Sequence, residues 1–360
     1  MLKTSVLMKE VDRQGVEALR LLLEQVPTIK LLDIEHEALE LDRGAHIVAH
    51  IDLAGTRHAL FCEVKSSGQP RHVRTALMQL RNDVVHHEQN ATPVLIAPYL
   101  SHDAQALCRE QNVGFLDLQG NARLIFGGVF IERQVASKPV AERRGLRSLF
   151  KPKSAQVLRV MLRDPHRAWR VTQLAKAAAV SLGHVSNVRS GLLDREWAHV
   201  SDDGLFLSEP GALLDAWSAV YEPPAGKHET LYTTLHGSAF EEVARRALHA
   251  DGGTGLAAFA SFSAAQWLAP YGRTGTQYFY ANDTGLERLR SALKLSSISK
   301  GENVLVTVLK DSGLFRDTVE PAPGAICTSP VQTYLDLAMA GERGREAAEH
   351  LRHERLTWPK

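Results

Sequence analysis

Two alternating runs, AHIVAHIDL and HALFCEVK, meet through the four residues AGTR within residues 45–65. Period-two alternation across a tight glycine-containing connection specifies a β-hairpin. An isolated hairpin is marginal in water, so its neighbours must cover it. Leu7, Val11, Val16, Leu19, Leu22, Leu23 and Val26 recur at helical spacing and Pro27 closes that segment. After the hairpin, PRHVRTALMQLRNDVVHHEQ predicts a helix over about 70–89, TPVLIAPYL a buried strand, SHDAQALCREQN a capped helix, and VGFLDLQGNARLIFGGVFIERQ two strands around Gly120-Asn121. This order predicts an α/β domain over residues 1–135.

Taking Gly55 and Thr56 as the central turn residues, with glycine first as a type II′ turn prefers, Ala54 faces Arg57, Glu63 faces Val48 and Lys65 faces His46. Ile47, Ile51 and Leu53 then share a face with Leu60, Cys62 and Val64. The opposite face holds His46, Val48, His50, Asp52, Ala59, Phe61, Glu63 and Lys65.

A strand ending Glu63-Val64-Lys65 resembles the PD-(D/E)xK nuclease superfamily, whose fold is restriction-endonuclease-like. The resemblance implies an aspartate on one hairpin strand, and the Glu and Lys of the next, around Mg²⁺. Carboxylate oxygens hold such a hard cation while the lysine positions the attacking water. Asp52 would stand about 13 Å from Glu63 along the strand, too far to share a metal. Near the position the superfamily gives its aspartate, this chain has His46, Ile47 and Val48. The site is therefore expected to be degenerate, with no catalytic residue, metal or cofactor: Glu63, Lys65, His46 and Gln79 are vestigial, and Glu63 and Lys65 form an ion pair. Two routes to an active nuclease stay open, Asp42 folding back from LDRG or His46 acting as a ligand.

A net charge of +1 hides a local excess, because residues 133–153 hold Arg133, Lys138, Arg143, Arg144, Arg147, Lys151 and Lys153 against Glu142 alone. With Pro139 and Pro152 and little periodicity, this tract reads as an exposed basic linker over 136–153. Beyond it, Val157, Leu158, Met161 and Leu162 mark one helix, VTQLAKAAAV a second, and HVSNVRSGLLDREW a third after the turn SLG. Val185, Val188 and Leu192 face inward, which leaves His184, Ser186, Asn187, Arg189 and Ser190 outward near the start of the third helix. AHVSDDGLFLS adds a hairpin with Asp202-Asp203-Gly204 at its tip.

Residues 154–221 thus resemble a winged helix-turn-helix of bacterial transcription regulators. In that reading Asn187 offers a bidentate amide to adenine and Arg189 pairs with guanine or phosphate, while Ser181 and Ser186 hold phosphates. Arg143, Arg144, Arg147, Lys151 and Lys153 would supply further backbone contacts. The two aspartates at the tip argue against wing insertion in the minor groove. A winged helix used only for protein contacts is the competing reading.

EPPAGKHE, residues 222–229, reads as a second linker, and residues 228–360 as an α+β domain with helices at SAFEEVARRALHA, SAAQWLAPY and TGLERLRSALKL, and strands at TQYFYA and NVLVTVLK. SPVQTYLDLAMAGERGREAAEHLRHERL reads as a helical tail, and Asp336, Glu342, Arg343 and Arg345 on or beside it as solvated or ion-paired positions.

Four stretches, CEVKSSGQPRHVRTALMQLR, VLIAPYLSHDAQALCREQNVGFLDLQGNARL, the block containing VSLGHVSNV, and SPVQTYLDLAMAGERGREAAEHLR, together resemble the AbiEi family of type IV toxin-antitoxin (abortive infection) antitoxins. The resemblance implies an autorepressor that binds double-stranded operator DNA and opposes a nucleotidyltransferase toxin, with direct contact left open. A homodimer would match a two-fold operator.

Composition agrees with a globular chain: 44% hydrophobic, 23% charged and without a long uncharged apolar run. Lys9, Glu10, Asp12 and Arg13 interrupt the apolar start, so no signal peptide is expected. Cys62, Cys108 and Cys327 lack ligand spacing and read as buried thiols in a reducing cytoplasm. The 16 histidines, the pair His86-His87 included, read as surface residues.

Overall fold

A computed structural model describes residues 2–37, 46–85, 91–135, 139–249, 255–272, 274–297 and 300–358. Asp42, His86, His87 and Lys138 lie outside the described residues, as do the side chains of Leu7, Lys9 and His46. The chain divides into two compact units. Met1–Arg143 with Leu193–Glu196 form the first, and Arg144–Leu192 with Trp197–Lys360 the second.

In the first unit, helix α1 (Leu2–Glu24) precedes strands β1 (Ile29–Glu37), β2 (His46–Leu53) and β3 (Thr56–Val64). Helix α2 (Pro70–Val85), β4 (Ala91–Ala97), α3 (His102–Glu110), β5 (Gly114–Asp117), β6 (Ala122–Phe126) and β7 (Val129–Arg133) follow. Among the described residues the seven strands form one sheet in chain order, with β3, β4 and β5 parallel and the outer pairs antiparallel.

Both faces of this sheet are covered. On one, Val11, Leu19, Leu22 and Leu23 of α1 pack with Ile47, Ile51, Leu60, Cys62 and Val64. On the other, Val73, Ala76, Leu77 and Leu80 of α2, and Ala104 and Cys108 of α3, pack with Val48, Phe61, Leu95 and Phe115. The hairpin's two faces separate as its alternation predicts.

The register differs from the expectation. Leu53 faces Thr56, so Ala54 and Gly55 are the turn residues and Glu63 faces His46, not Val48. Both turn residues have positive φ, +51° and +88°, matching the twist that two-residue hairpins favour. A shift of two residues leaves every side chain on its expected face. Asp52, now opposite Arg57, lies still farther from Glu63.

Two further differences have local causes. Strand β1 was not anticipated; its bulge between Leu31 and Asp33 breaks the alternation. Gly127 and Gly128, at φ +52° and +81°, turn the expected second strand into the hairpin of β6 and β7. Asp117, fully buried, accepts hydrogen bonds from the backbone N–H groups of Leu100, Gln119 and Asn121 and from the Asn121 amide at 2.8–3.1 Å, which fixes the turn before β6.

Helix α4 (Val140–Leu149) occupies most of the tract read as a linker. Its charges mask two apolar positions three residues apart, Leu146 and Leu149, which are buried. After it come α5 (Pro152–Arg163), α6 (Val171–Ala178), α7 (Leu182–Asp194), and the hairpin β8 (Ala198–Ser201) with β9 (Gly204–Leu207). Leu158, Met161, Leu162, Leu174, Ala178, Val185, Val188, Leu192, Leu205 and Leu207 of these elements are all buried. Trp169, between α5 and α6, exchanges two backbone hydrogen bonds with Leu205 at 2.8 and 2.9 Å, adding a third strand-like segment to the hairpin.

Helix α8 (Pro210–Ala219) leads into β10 (Gly226–Tyr232), α9 (Gly237–His249), β11 (Ala257–Phe259), α10 (Ser261–Leu268), β12 (Gln277–Ala281), α11 (Asp283–Leu293), β13 (Ser296–Ser297) and β14 (Val304–Leu309). A 3₁₀ turn (Ser312–Asp317), β15 (Thr318–Val319), β16 (Cys327–Thr328), α12 (Pro330–Ala338) and α13 (Gly341–Arg355) complete the unit. Its described strands form a mixed sheet in the order β13-β10-β14-β12-β11-β16-β15.

The second linker is therefore corrected in part, because Gly226–Glu229 pair with β14 as the start of β10. The helical tail breaks between Ala338 and Gly341 into α12 and α13. Most of residues 154–221 and all of residues 228–360 fall in the second unit.

Candidate nucleic-acid interface

Helix α7 has one buried and one open side. Val185, Val188 and Leu192 are at most 1% exposed, while Ser181, Leu182, Gly183, His184, Ser186, Asn187 and Ser190 are exposed and Arg189 is half-buried. Burial of these three positions fixes the inner side, so the outer side is presented on a rigid support. Ser181 is partly engaged: its Oγ accepts the His184 backbone N–H at 3.3 Å and lies 2.9 Å from His184 Nδ1. The pair caps the helix start and orients the imidazole. Leu182, 53% exposed at the first helical position, is an apolar contact that sequence reasoning missed.

Other cations of the second unit also escaped that reading. Arg167 stacks over the Trp169 ring at 3.9 Å, and Arg170 and Lys176 are exposed around α6. An isolated arginine between helices carries no periodic signal, and the Trp169 bridge that anchors the neighbouring backbone is non-local. Asp202 and Asp203 are exposed at the hairpin tip.

Arg143, Arg144, Arg147, Lys151 and Lys153 are all exposed. Arg147 stands 3.6 Å from Glu222 and Lys153 3.5 Å from Asp311. Such exposed pairs are weak and exchange readily for phosphate.

Around Glu63 the geometry is that of a buried pair. Glu63 is 1% exposed, its Oε1 meets Lys65 Nζ, and Lys65 donates to Gln79 Oε1 at 3.0 Å. Glu63 Oε2 is buried without a hydrogen-bond partner among the described residues. No described group of three His, Cys, Asp or Glu side chains is arranged to hold a metal ion. One carboxylate already bound by an ammonium does not make the oxygen-rich set Mg²⁺ needs.

Asp336 is not the solvated residue its sequence context suggested. It accepts hydrogen bonds from Tyr221 at 2.5 Å, Tyr280 at 3.0 Å and the Gln332 amide at 2.9 Å. Burial pushes its carboxyl up to about 6, although those hydrogen bonds and the nearby Arg159 charge pull the other way. Burial and the Asp336 charge hold the Tyr221 and Tyr280 phenols well above their ordinary range. Arg159 donates to Gln332 Oε1 at 2.6 Å, tying α5 to α12. All three cysteines are buried, as expected, and burial pushes the Cys108 thiol to about 12.

The molecule is thus a multidomain chain of mixed α/β structure with several sheets, carrying a three-helix block whose last helix exposes a polar face. Residues 207–357 match the model of a family described as "Transcriptional regulator, AbiEi antitoxin, Type IV TA system". The match runs from the end of β9 to the end of the chain's last helix, less than half of the sequence, and excludes α7. No curated protein matches the chain. Among solved structures, "Structure of EndoMS in apo form" aligns at 18% identity and TM-score 0.22, covering 29% of this chain and 45% of that one. Among the described residues no helix is long and apolar enough to cross a membrane.

Proposed function

We propose that the chain is a DNA-binding transcriptional regulator, the antitoxin and autorepressor of a type IV toxin-antitoxin operon. The observation that carries the reading is the outer face of α7. It sets a carboxamide, a guanidinium and an imidazole beside an exposed leucine, on a helix whose other face is locked into a core. In this reading α5–α7 with β8 and β9 are a winged helix-turn-helix. The start of α7 enters the major groove, Asn187 reads adenine, Arg189 guanine or phosphate, and Leu182 meets a thymine methyl. The family match over residues 207–357 supports the regulator class. The toxin opposed would be a nucleotidyltransferase, the operator duplex DNA, and the binding form a homodimer.

Footprinting upstream of the protein's own operon tests the reading. We expect a protected segment at moderate salt that Asn187→Ala weakens by about tenfold to a hundredfold, the equivalent of about 1–3 kcal/mol. No protection would sink it. Arg144→Ala and Lys151→Ala, in contrast, should weaken all duplexes alike and lower the salt slope by about one each.

In the same reading the first unit is a degenerate restriction-endonuclease-like domain without catalytic activity. The unpartnered Glu63 Oε2 favours the second reading, a Mg²⁺-dependent nuclease. Incubation of DNA and RNA with Mg²⁺ or Mn²⁺ beside a Glu63→Ala control decides between them: cleavage lost in the control would establish the nuclease.

A further inference from the structure

Among the described residues the sheet of the first unit ends in β1 on one side and β7 on the other. The two edges differ. Strand β1 carries a bulge between Leu31 and Asp33, with Lys30, Asp33 and Glu35 exposed, which are devices that keep an edge from pairing. Strand β7 is regular, and its five residues pair with β6 without a bulge.

The hairpin geometry decides which backbone groups β7 leaves open. Gly127 and Gly128 form the two-residue turn, so Phe126 and Val129 close it as a hydrogen-bonded pair. Bonded and non-bonded pairs alternate, so Ile131 and Arg133 also bond to β6. Phe130 and Glu132 therefore turn N–H and C=O away from the sheet. No backbone hydrogen bond from another described segment reaches either residue. Their side chains share one face. There Phe130, 60% exposed, stands opposite Ile125, itself 48% exposed, and Arg109 meets Glu132 at 3.4 Å. On the other face Val129 and Ile131 pack against the core beside α1.

An edge with two outward-turned residues two positions apart is complementary to itself. Set antiparallel about a two-fold axis at Ile131, Phe130 of each copy faces Glu132 of the other, and each such pair exchanges two backbone hydrogen bonds. All five residues then pair, with Val129 opposite Arg133 and Ile131 opposite its own counterpart. The neighbouring registers are poorer. Centring on Glu132 sets two carboxylates opposite each other. Centring on Phe130 draws Gly128, at φ +81°, into the ladder and leaves Arg133 opposite the turn.

We propose that β7 is a dimer surface, joining the seven-stranded sheets of two copies of this chain across a two-fold axis. It gives the homodimer of the proposed function a location, while the pairing itself needs no DNA. So short an edge buries less than the roughly 1,200–2,000 Å² of a stable complex, and the dimer is a weak one, with Kd on the order of 10–100 µM.

Sedimentation of the full-length protein without DNA, from about 1 µM to about 500 µM, tests it, and the expected result is a monomer–dimer equilibrium in that range. Charge at position 130 reads the register. Phe130→Glu faces Glu132 of the other copy twice, and Phe130→Lys faces it with opposite charge, so the lysine variant should dimerise at least about tenfold more tightly than the glutamate variant. Both should melt with wild type, since the side chain is exposed. Ile131→Cys, with Cα atoms about 4.5 Å apart across the axis, should form an intermolecular disulfide on mild oxidation. Val129→Cys, about 13 Å from its counterpart, should not, and the native cysteines are buried. A monomer throughout the range would overturn the proposal. Equal dimerisation of the two charge variants, or equal crosslinking of the two cysteine variants, would do the same. A monomer that still footprints its operator would count against this surface alone, whereas a β7 dimer without a footprint would support it and count against the reading of α7.

Discussion

Lys65→Met lowers the stability of the first unit by about 3 kcal/mol at neutral pH, measured by urea unfolding. The variant strands the Glu63 carboxylate, 1% exposed, with neither oxygen compensated. Breaking a buried pair by removing one partner costs about 3–5 kcal/mol, and the low end applies because the Lys65 side chain keeps 20% exposure. The double variant Glu63→Met/Lys65→Met recovers to within about 1 kcal/mol of wild type, since replacing both ions with apolar groups removes the desolvation cost together with the attraction. An ion-pair role predicts this asymmetry and no gain in melting temperature on adding Mg²⁺. A metal-ligand role predicts a Mg²⁺-dependent rise lost in Glu63→Ala.

In the second unit, stability falls as pH rises from about 4 to above 6, and Asp336 is the cause. Its folded carboxyl titrates at about 6 against an ordinary value of 3.8. Between these values the unfolded chain has released the proton while the folded chain retains it. The stabilisation is therefore fully present below the unfolded value and lost as pH passes the folded one. The difference amounts to about 2–3 kcal/mol. Asp336→Asn keeps an oxygen to accept from Tyr221, Tyr280 and Gln332, so the variant should match wild type near pH 4 and exceed it by that amount at pH 7.5. Parallel curves for the two proteins across this range would refute the assignment.

Where the sequence was legible, local periodicity carried the message. Val185, Val188 and Leu192 mark the buried face of α7 without reference to any partner, and the hairpin alternation sorts its residues onto the correct faces. That alternation cannot detect a slip of two residues, because parity is preserved. The turn chemistry favoured glycine as the first central residue, whereas Ala54 takes the left-handed conformation there. Helix α4 was hidden by its own charges, which outnumber the two leucines it buries. Asp336 was misread because its partners lie 115 and 56 residues away in Tyr221 and Tyr280. No window along the chain reports such burial. The exposed face of α7 was readable, but its cap was not, since Ser181 is at once the cap acceptor and an expected phosphate contact.

The central claim, that the start of α7 reads DNA sequence, is tested most directly by fluorescence anisotropy of the double variant Asn187→Ala/Arg189→Ala. The titration uses the operon's upstream duplex and a scrambled duplex of equal length at fixed salt. The account predicts that wild type prefers the upstream duplex and that the variant loses at least about a hundredfold on it, with affinity for the scrambled duplex within about threefold of wild type. An unchanged preference in the double variant would contradict it.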